Sequence, residues 1–236
     1  MRWADGPLAA FDLETTGVDT DEARIVTASI AVVGSEIEPQ VRDWLVDPGV
    51  EIPEGAARVH GITTEMARAE GVEPALAVEE ITGRLAEVQA QDIPIVAFNA
   101  RFDLTLLDRE ARRHGVTPLV ERLGGTDGLL VVDPFILDKE VNKFRSGKRT
   151  LEVLCQAYGI PIEDAHASDA DAIAAARLAW RIASDHPELA ESPLPDLHDR
   201  QVAWAHEQAA DLERYFRDKG REEVIDREWP IVPVAA

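Results

Sequence analysis

Basic residues are scarce in this 236-residue chain: 24 Lys and Arg stand against 45 Asp and Glu, a formal charge of −21. A field of that sign repels polyanions; taken alone it favours a small-molecule or protein partner, and it argues against a protein that coats duplex nucleic acid. It leaves room for an enzyme that grips only a strand terminus, because that task needs few phosphate contacts. Cysteine is nearly absent. The lone Cys155, in TLEVLCQAYG, excludes an intrachain disulfide and a cysteine zinc cluster. Helical periodicity makes it a small buried hydrophobe, and a reducing cytoplasm suits it. No run of about 18 apolar residues occurs, and the start, MRWADGPLAA, has no continuous apolar core, so neither a membrane span nor a secretion signal is expected. Internal repeats and low-complexity tracts are missing too. What remains is a chain with 45% hydrophobic residues, long enough to bury a substantial core without covalent staples.

The apolar pattern predicts strands at 7–12, 24–33 and 41–46, joined by short polar connections like those of an antiparallel meander. A helix at 74–91 then leads to a buried strand at 93–99, which makes that strand parallel to an earlier one. A helix at 101–114, a short strand at 129–133 and helices at 150–158 and 169–185 follow. The expected fold class is α/β, with a mixed sheet flanked by helices. Proline enrichment at 186–196 marks a connection between a main domain, 1–186, and a C-terminal extension, 187–236. The extension reads as a helix with Val202, Ala205, Leu212, Tyr215 and Phe216 on its apolar face, ending at Gly220. The Trp229-Pro230 segment after it is expected to dock on the domain or on a partner.

Residues 9–17, AAFDLETTG, place Asp12 and Glu14 two apart at the end of a strand, where both side chains point the same way. Either the strand ends in solvent there, with Thr15, Thr16 and Gly17 as the turn, or the pair cradles a hard cation that removes their repulsion. The second possibility demands further carboxylates. In VAFNARFDLTLL, Asn99 ends the buried strand and Asp103 lies in the first turns of the next helix, facing the same crevice. An acid there also complements the helix dipole, and Phe102 beside it also suits core packing. In HASDADAI, His166 precedes Asp171 by five residues, with Ser168 placed as a helix N-cap. Ser168 and Asp171 equally fit a capping box. Together, Asp12, Glu14, Asp103 and Asp171 form a set able to hold two divalent ions about 3.5–4 Å apart, the arrangement suited to phosphodiester cleavage. His166 is a base of near-neutral pKa beside them.

FDLETTG, HGIT at 60–63, NARFD at 99–103 and HASDAD at 166–171, in that order, resemble the DnaQ-like (DEDDh) 3′-to-5′ exonucleases, the group that includes the epsilon-type proofreading subunit of bacterial DNA polymerase III. The resemblance covers roughly residues 7–185. It implies a ribonuclease H-like fold and a two-ion site for Mg²⁺ or Mn²⁺ on Asp12, Glu14, Asp103 and Asp171. His166 would take a proton from the attacking water. Thr15, Thr16 and His60 would meet the 3′-terminal nucleotide, and Asn99 and Phe102 would line the site. The implied reaction releases nucleoside 5′-monophosphates from DNA 3′ ends in proofreading or repair.

Three alternatives stay open: RNA trimming of the oligoribonuclease type, a non-catalytic metal-binding or partner-docking scaffold, and a stand-alone enzyme rather than a polymerase subunit. The tail carries no recognisable clamp-binding peptide, and a homodimer through it is a further expectation. One segment opposes the general acidity: Lys139, Lys143, Arg145, Lys148 and Arg149 face only Glu140 between 139 and 149. That stretch reads as a strand guide, a lid or a plain solvated loop.

Overall fold

Leu8–Thr15 forms the first strand, β1, whose first four residues are buried because the strand lies in the middle of its sheet. The computed structural model describes residues 2–35, 37–162 and 168–234. β2 (Ile25–Gly34) pairs antiparallel with β1, and β3 (Ile37–Leu45) pairs antiparallel with β2. Helices α1 (Glu54–His60), α2 (Thr64–Glu70) and α3 (Pro74–Gln89) follow, and the chain then enters β4 (Ile95–Val96), which is parallel to β1. Next come α4 (Ala100–Arg113), α5 (Leu119–Arg122), and β5 (Val131–Val132), parallel to β4. The remaining helices are α6 (Pro134–Val141), α7 (Leu151–Tyr158), α8 (Ser168–Asp185), α9 (Pro187–Ala190) and α10 (Leu194–Asp218). The sheet order is β3-β2-β1-β4-β5.

The expected mixed sheet is present, with two differences. β4 and β5 are only two residues long, because their apolar flanks serve as buried connections rather than ladder positions. The segment 54–70, which has little apolar periodicity, is helical: Thr63 caps α2 by accepting from the Met66 N–H, and Gly61 ends α1 in the left-handed conformation.

Side-chain parity along β1 assigns its neighbours. Phe11 and Leu13 face a core built with α3 and α4, including Ile81, Leu85, Leu104 and Leu107. Leu8 and Ala10 face the opposite core, with Leu178 and Ile182 of α8. The buried face of α8 is largely alanine, at 172, 174, 175, 176, 179 and 183, so the helix approaches the sheet closely. Period two therefore turns Asp12 and Glu14 toward the α8 layer.

The tail forms part of these cores. α10 buries Leu197, His198, Gln201, Ala205 and Ala209, one stripe at four-residue spacing. This corrects the expected apolar face: Val202, Leu212 and Tyr215 are on the outer side, and two polar residues face inward. The reason is the open edge of β5. The Val131 N–H donates to His198 Nδ1 (3.1 Å) and the Asp133 N–H to Gln201 Oε1 (2.7 Å), while Gln201 Nε2 donates to the Val131 carbonyl (2.9 Å). Side chains of α10 thus take the place of a sixth strand. Burial lowers the His198 pKa, in keeping with a neutral ring that accepts at Nδ1. Trp229 joins the core beside it, 5.1 Å from the His198 ring.

Candidate active site

Four acids reach the carboxyl end of β1 from three elements. Asp12 and Glu14 lie on β1 opposite Ser29 and Thr27, and a register irregularity between Glu14 and Thr15 marks where regular pairing with β2 ends. Asp103, in the first turn of α4, comes from the other layer and is held at the strand: its Oδ1 accepts the Leu13 N–H at 3.2 Å. Asp171 lies in the first turn of α8. The described part of that helix begins at Ser168, and the residues just before it lie outside the described residues. His166 lies outside the described residues.

The electrostatics record the convergence. Burial pushes the Asp12 pKa well above the ordinary carboxylate value, and the charges of Asp103, Glu14 and Asp171 push it further. Burial also raises Asp103 well above that value, with Asp133 and Glu14 adding to the rise and backbone N–H groups opposing it. Next to the cluster, Cys155 is raised to about 11, by burial first and then by the charge of Asp171, so its thiol is inert. Four carboxyl groups gathered this way form an all-oxygen donor set, the chemistry of a hard divalent cation, and such a cation would relieve their repulsion. The residues fit that group in kind. Among the described residues, no three carboxyl, imidazole or thiol groups already form a ligand cage.

The other expected residues divide. Thr15 Oγ1 donates to the Gly17 carbonyl (2.7 Å), and Thr16 Oγ1 accepts from the Arg24 N–H (2.9 Å), so both hydroxyls stabilise the turn beside the acids. His60 lies against the backbone of Thr15, accepts from the Ile62 N–H at Nδ1, and has its pKa lowered by burial. Asn99 is exposed and left-handed (φ 61°, ψ 46°), and Phe102 is partly buried against the core.

Asp133 is the residue that motif reasoning missed. Its carboxylate accepts from the N–H groups of Asn99 (3.0 Å), Ala100 (3.0 Å) and Phe135 (2.9 Å), so one buried side chain caps both α4 and α6. The Trp229 indole N–H approaches it at 3.4 Å. Burial raises its pKa to about 6 against these opposing hydrogen bonds. The available signal was Asp before Pro at the start of a helix, in VVDPF.

These shifts set a pH dependence. A carboxyl whose pKa is raised on folding holds its proton more tightly in the folded chain. Its contribution is present below the unfolded value of 3.8 and is lost as pH rises through the folded value, about 6 for Asp133 and in the same direction for Asp12 and Asp103. In chelator, the slope of melting temperature against pH between 5 and 7.5 should be less negative in Asp12→Asn/Asp103→Asn than in wild type. Equal slopes would show that these carboxyls are not shifted.

A parallel and antiparallel sheet in this order, with acids at the mouth of its central strand, defines a ribonuclease H-like nuclease fold. The comparisons with known proteins agree. The family model described as Exonuclease, of the RNase T type, matches residues 9–179, and the chain belongs to that exonuclease family. The DNA polymerase III subunit epsilon-like protein of Rhodobacter capsulatus is 33% identical over 177 residues, 73% of this chain and 23% of the relative. A PolC-type DNA polymerase III of Listeria monocytogenes is 27% identical over 196 residues, 83% of this chain and 12% of the relative. E. coli Exonuclease I in complex with a dT13 oligonucleotide superposes with a TM-score of 0.63 at 22% identity, covering 78% of this chain and 42% of that one. The chain thus spans under a quarter of the length of these two curated relatives. Among the described residues, no helix is long and apolar enough to cross a membrane.

Proposed function

We propose that this chain is a divalent-cation-dependent 3′-to-5′ exonuclease that removes nucleoside 5′-monophosphates from single-stranded or frayed DNA ends, in proofreading or repair. The observation that carries this reading is the shared field of Asp12, Glu14, Asp103 and Asp171, brought to one strand end by β1, α4 and α8. The epsilon-like and PolC-type relatives and the oligonucleotide complex of Exonuclease I support DNA as the substrate. A zinc-bound form of the E. coli ExoI–ssDNA complex among the similar structures supports a metal.

Asp12, Glu14, Asp103 and Asp171 would hold two Mg²⁺ or Mn²⁺ ions. Bound there, the ions supply charge neutralisation at the scissile phosphodiester and ease the ionisation of water. The chain's own residues do the rest. The Leu13 N–H holds Asp103 in orientation, and Asp133 fixes the turn at Asn99 from which α4 departs. His166 takes the proton of the attacking water. Thr15, Thr16 and His60 border the terminal nucleotide, while Asn99 and Phe102 line the site beside Asp103.

The test is cleavage of matched 3′- and 5′-labelled DNA and RNA oligonucleotides with Mg²⁺, Mn²⁺ or chelator, by wild type and His166→Ala. We expect metal-dependent release of mononucleotides from DNA 3′ ends, slowed ~10²-fold or more by the substitution. Faster trimming of RNA would reassign the substrate. No shortening with any metal would leave the acids a structural role.

A further inference from the structure

Phe144 is fully exposed, at 100%, and is the most exposed aromatic side chain among the described residues, ahead of Tyr215 at 56% and Trp180 at 50%. Single exposed apolar residues are common on soluble proteins, so exposure alone assigns nothing. The anchoring of its loop and the charges around it add to the case.

Residues 142–149 are tied to one buried carboxylate. Asp138 accepts from Arg145 Nη2 (2.8 Å), Arg149 Nε (2.9 Å) and the Tyr158 hydroxyl (2.9 Å), and Arg149 Nη2 also donates to the Asn142 carbonyl (2.6 Å). Two of the five basic residues are thereby spent on fixing the loop, and the fixed loop holds Phe144 out in water. The remaining cations lie on the loop surface or on α6 between the loop and Asp133. Lys143 pairs with the partly exposed Glu140 (3.1 Å), a contact of little energetic weight, and Lys148 is exposed. Lys139 rests 5.0 Å from the Phe135 ring and, with Asn99, Arg101 and Asp133, lines a cavity of about 240 Å³. In a chain of charge −21, this is a local concentration of cations on α6 and the loop that follows it.

An exposed aromatic ring flanked by cations is the combination that holds single-stranded nucleic acid: the ring stacks on any base while the cations follow the phosphates. α6 connects Asp133 to this loop over about 12 Å, roughly three or four stacked nucleotides at ~3.4 Å each. We infer that Phe144 is a stacking platform for a base of the substrate strand a few nucleotides behind the reacting 3′ end, with Lys143, Lys148 and Lys139 along its phosphates. This inference rests on the exonuclease reading and gives that reading a strand path. It also accounts for how so acidic a protein retains a polyanion.

The test compares wild type, Phe144→Ala and Phe144→Trp on a DNA 20-mer and a dinucleotide, together with anisotropy of a labelled 20-mer in chelator. Phe144→Ala should raise KM ~10-fold more for the 20-mer than for the dinucleotide, with kcat little altered, and weaken binding by a similar factor. Phe144→Trp should restore both. Equal KM effects on the two lengths with equal affinities would overturn the platform. If wild type cleaves neither substrate but Phe144→Ala still weakens binding, the exonuclease reading fails, and with it the placement behind a reacting 3′ end, while Phe144 remains a contact for single-stranded DNA.

Discussion

Asp12→Asn is expected to lower nuclease turnover by at least ~10³-fold while raising the melting temperature of the metal-free protein. The two effects share one cause. Asp12 lies at the centre of the cluster and feels the charge of all three other acids, so its ionised form is costly in the empty site. An amide has no charge to bury, and removing one repelling member should stabilise the fold by about 1 kcal/mol, or ~2–4 °C for a chain of this size. The same change deprives a divalent cation of an anionic oxygen ligand, which weakens stabilisation of charge that develops only in the transition state. Strand binding, set by other contacts, should fall much less than turnover. Single-turnover rates with Mn²⁺ and thermal melts in chelator check the pair of results. A variant that loses activity and also melts lower would show that Asp12 supports the fold, and the repulsive-cluster account would fail.

Trp229→Ala should cost ~3–5 kcal/mol of stability and lower the melting temperature by roughly 10 °C. The indole is 6% exposed and packs within the core that contains Phe11, Leu104 and Leu107. Its ring lies tilted against His198, the residue that satisfies the edge of β5, and its N–H faces Asp133, the residue that caps α4. Deleting it leaves a cavity under the very groups that place Asn99 and Asp103. Trp229→Phe keeps most of the apolar area and should cost about 1 kcal/mol. Urea melts of both variants, with turnover measured at a temperature where each is folded, separate packing from catalysis. If Trp229→Ala melts as wild type does, the tail is not part of the core.

The neighbouring segment supports the same expectation. The Val232 N–H donates to Thr105 Oγ1 (3.0 Å), and Arg109 Nη1 donates to the Val232 carbonyl (2.9 Å), both from α4. We propose that residues 187–234 and the preceding domain form one folding unit.

Much of the candidate site was legible because its signals are local. Parity along a strand turns Asp12 and Glu14 to one side, and the first turn of a helix after a buried strand places Asp103 at the same end of the sheet. Asp133 escaped because its role is defined by partners 33 and 34 residues away, and a single Asp-Pro pair looks like an ordinary helix start. The apolar face of α10 was misread for a related reason. Periodicity weighs hydrophobicity, whereas His198 and Gln201 are buried for the backbone groups they satisfy on β5.

By itself, the sequence determined the class of fold, the acids and their order along the chain, since hydrophobic period, helix starts and residue chemistry are properties of short segments. Only the tertiary structure decided that an alanine-faced α8 brings Asp171 to Asp12, that α10 closes the edge of β5, and that Trp229 lies beneath the turn at Asn99. These are contacts between segments tens of residues apart, set by complementary shape and by the requirement that every buried backbone group find a partner.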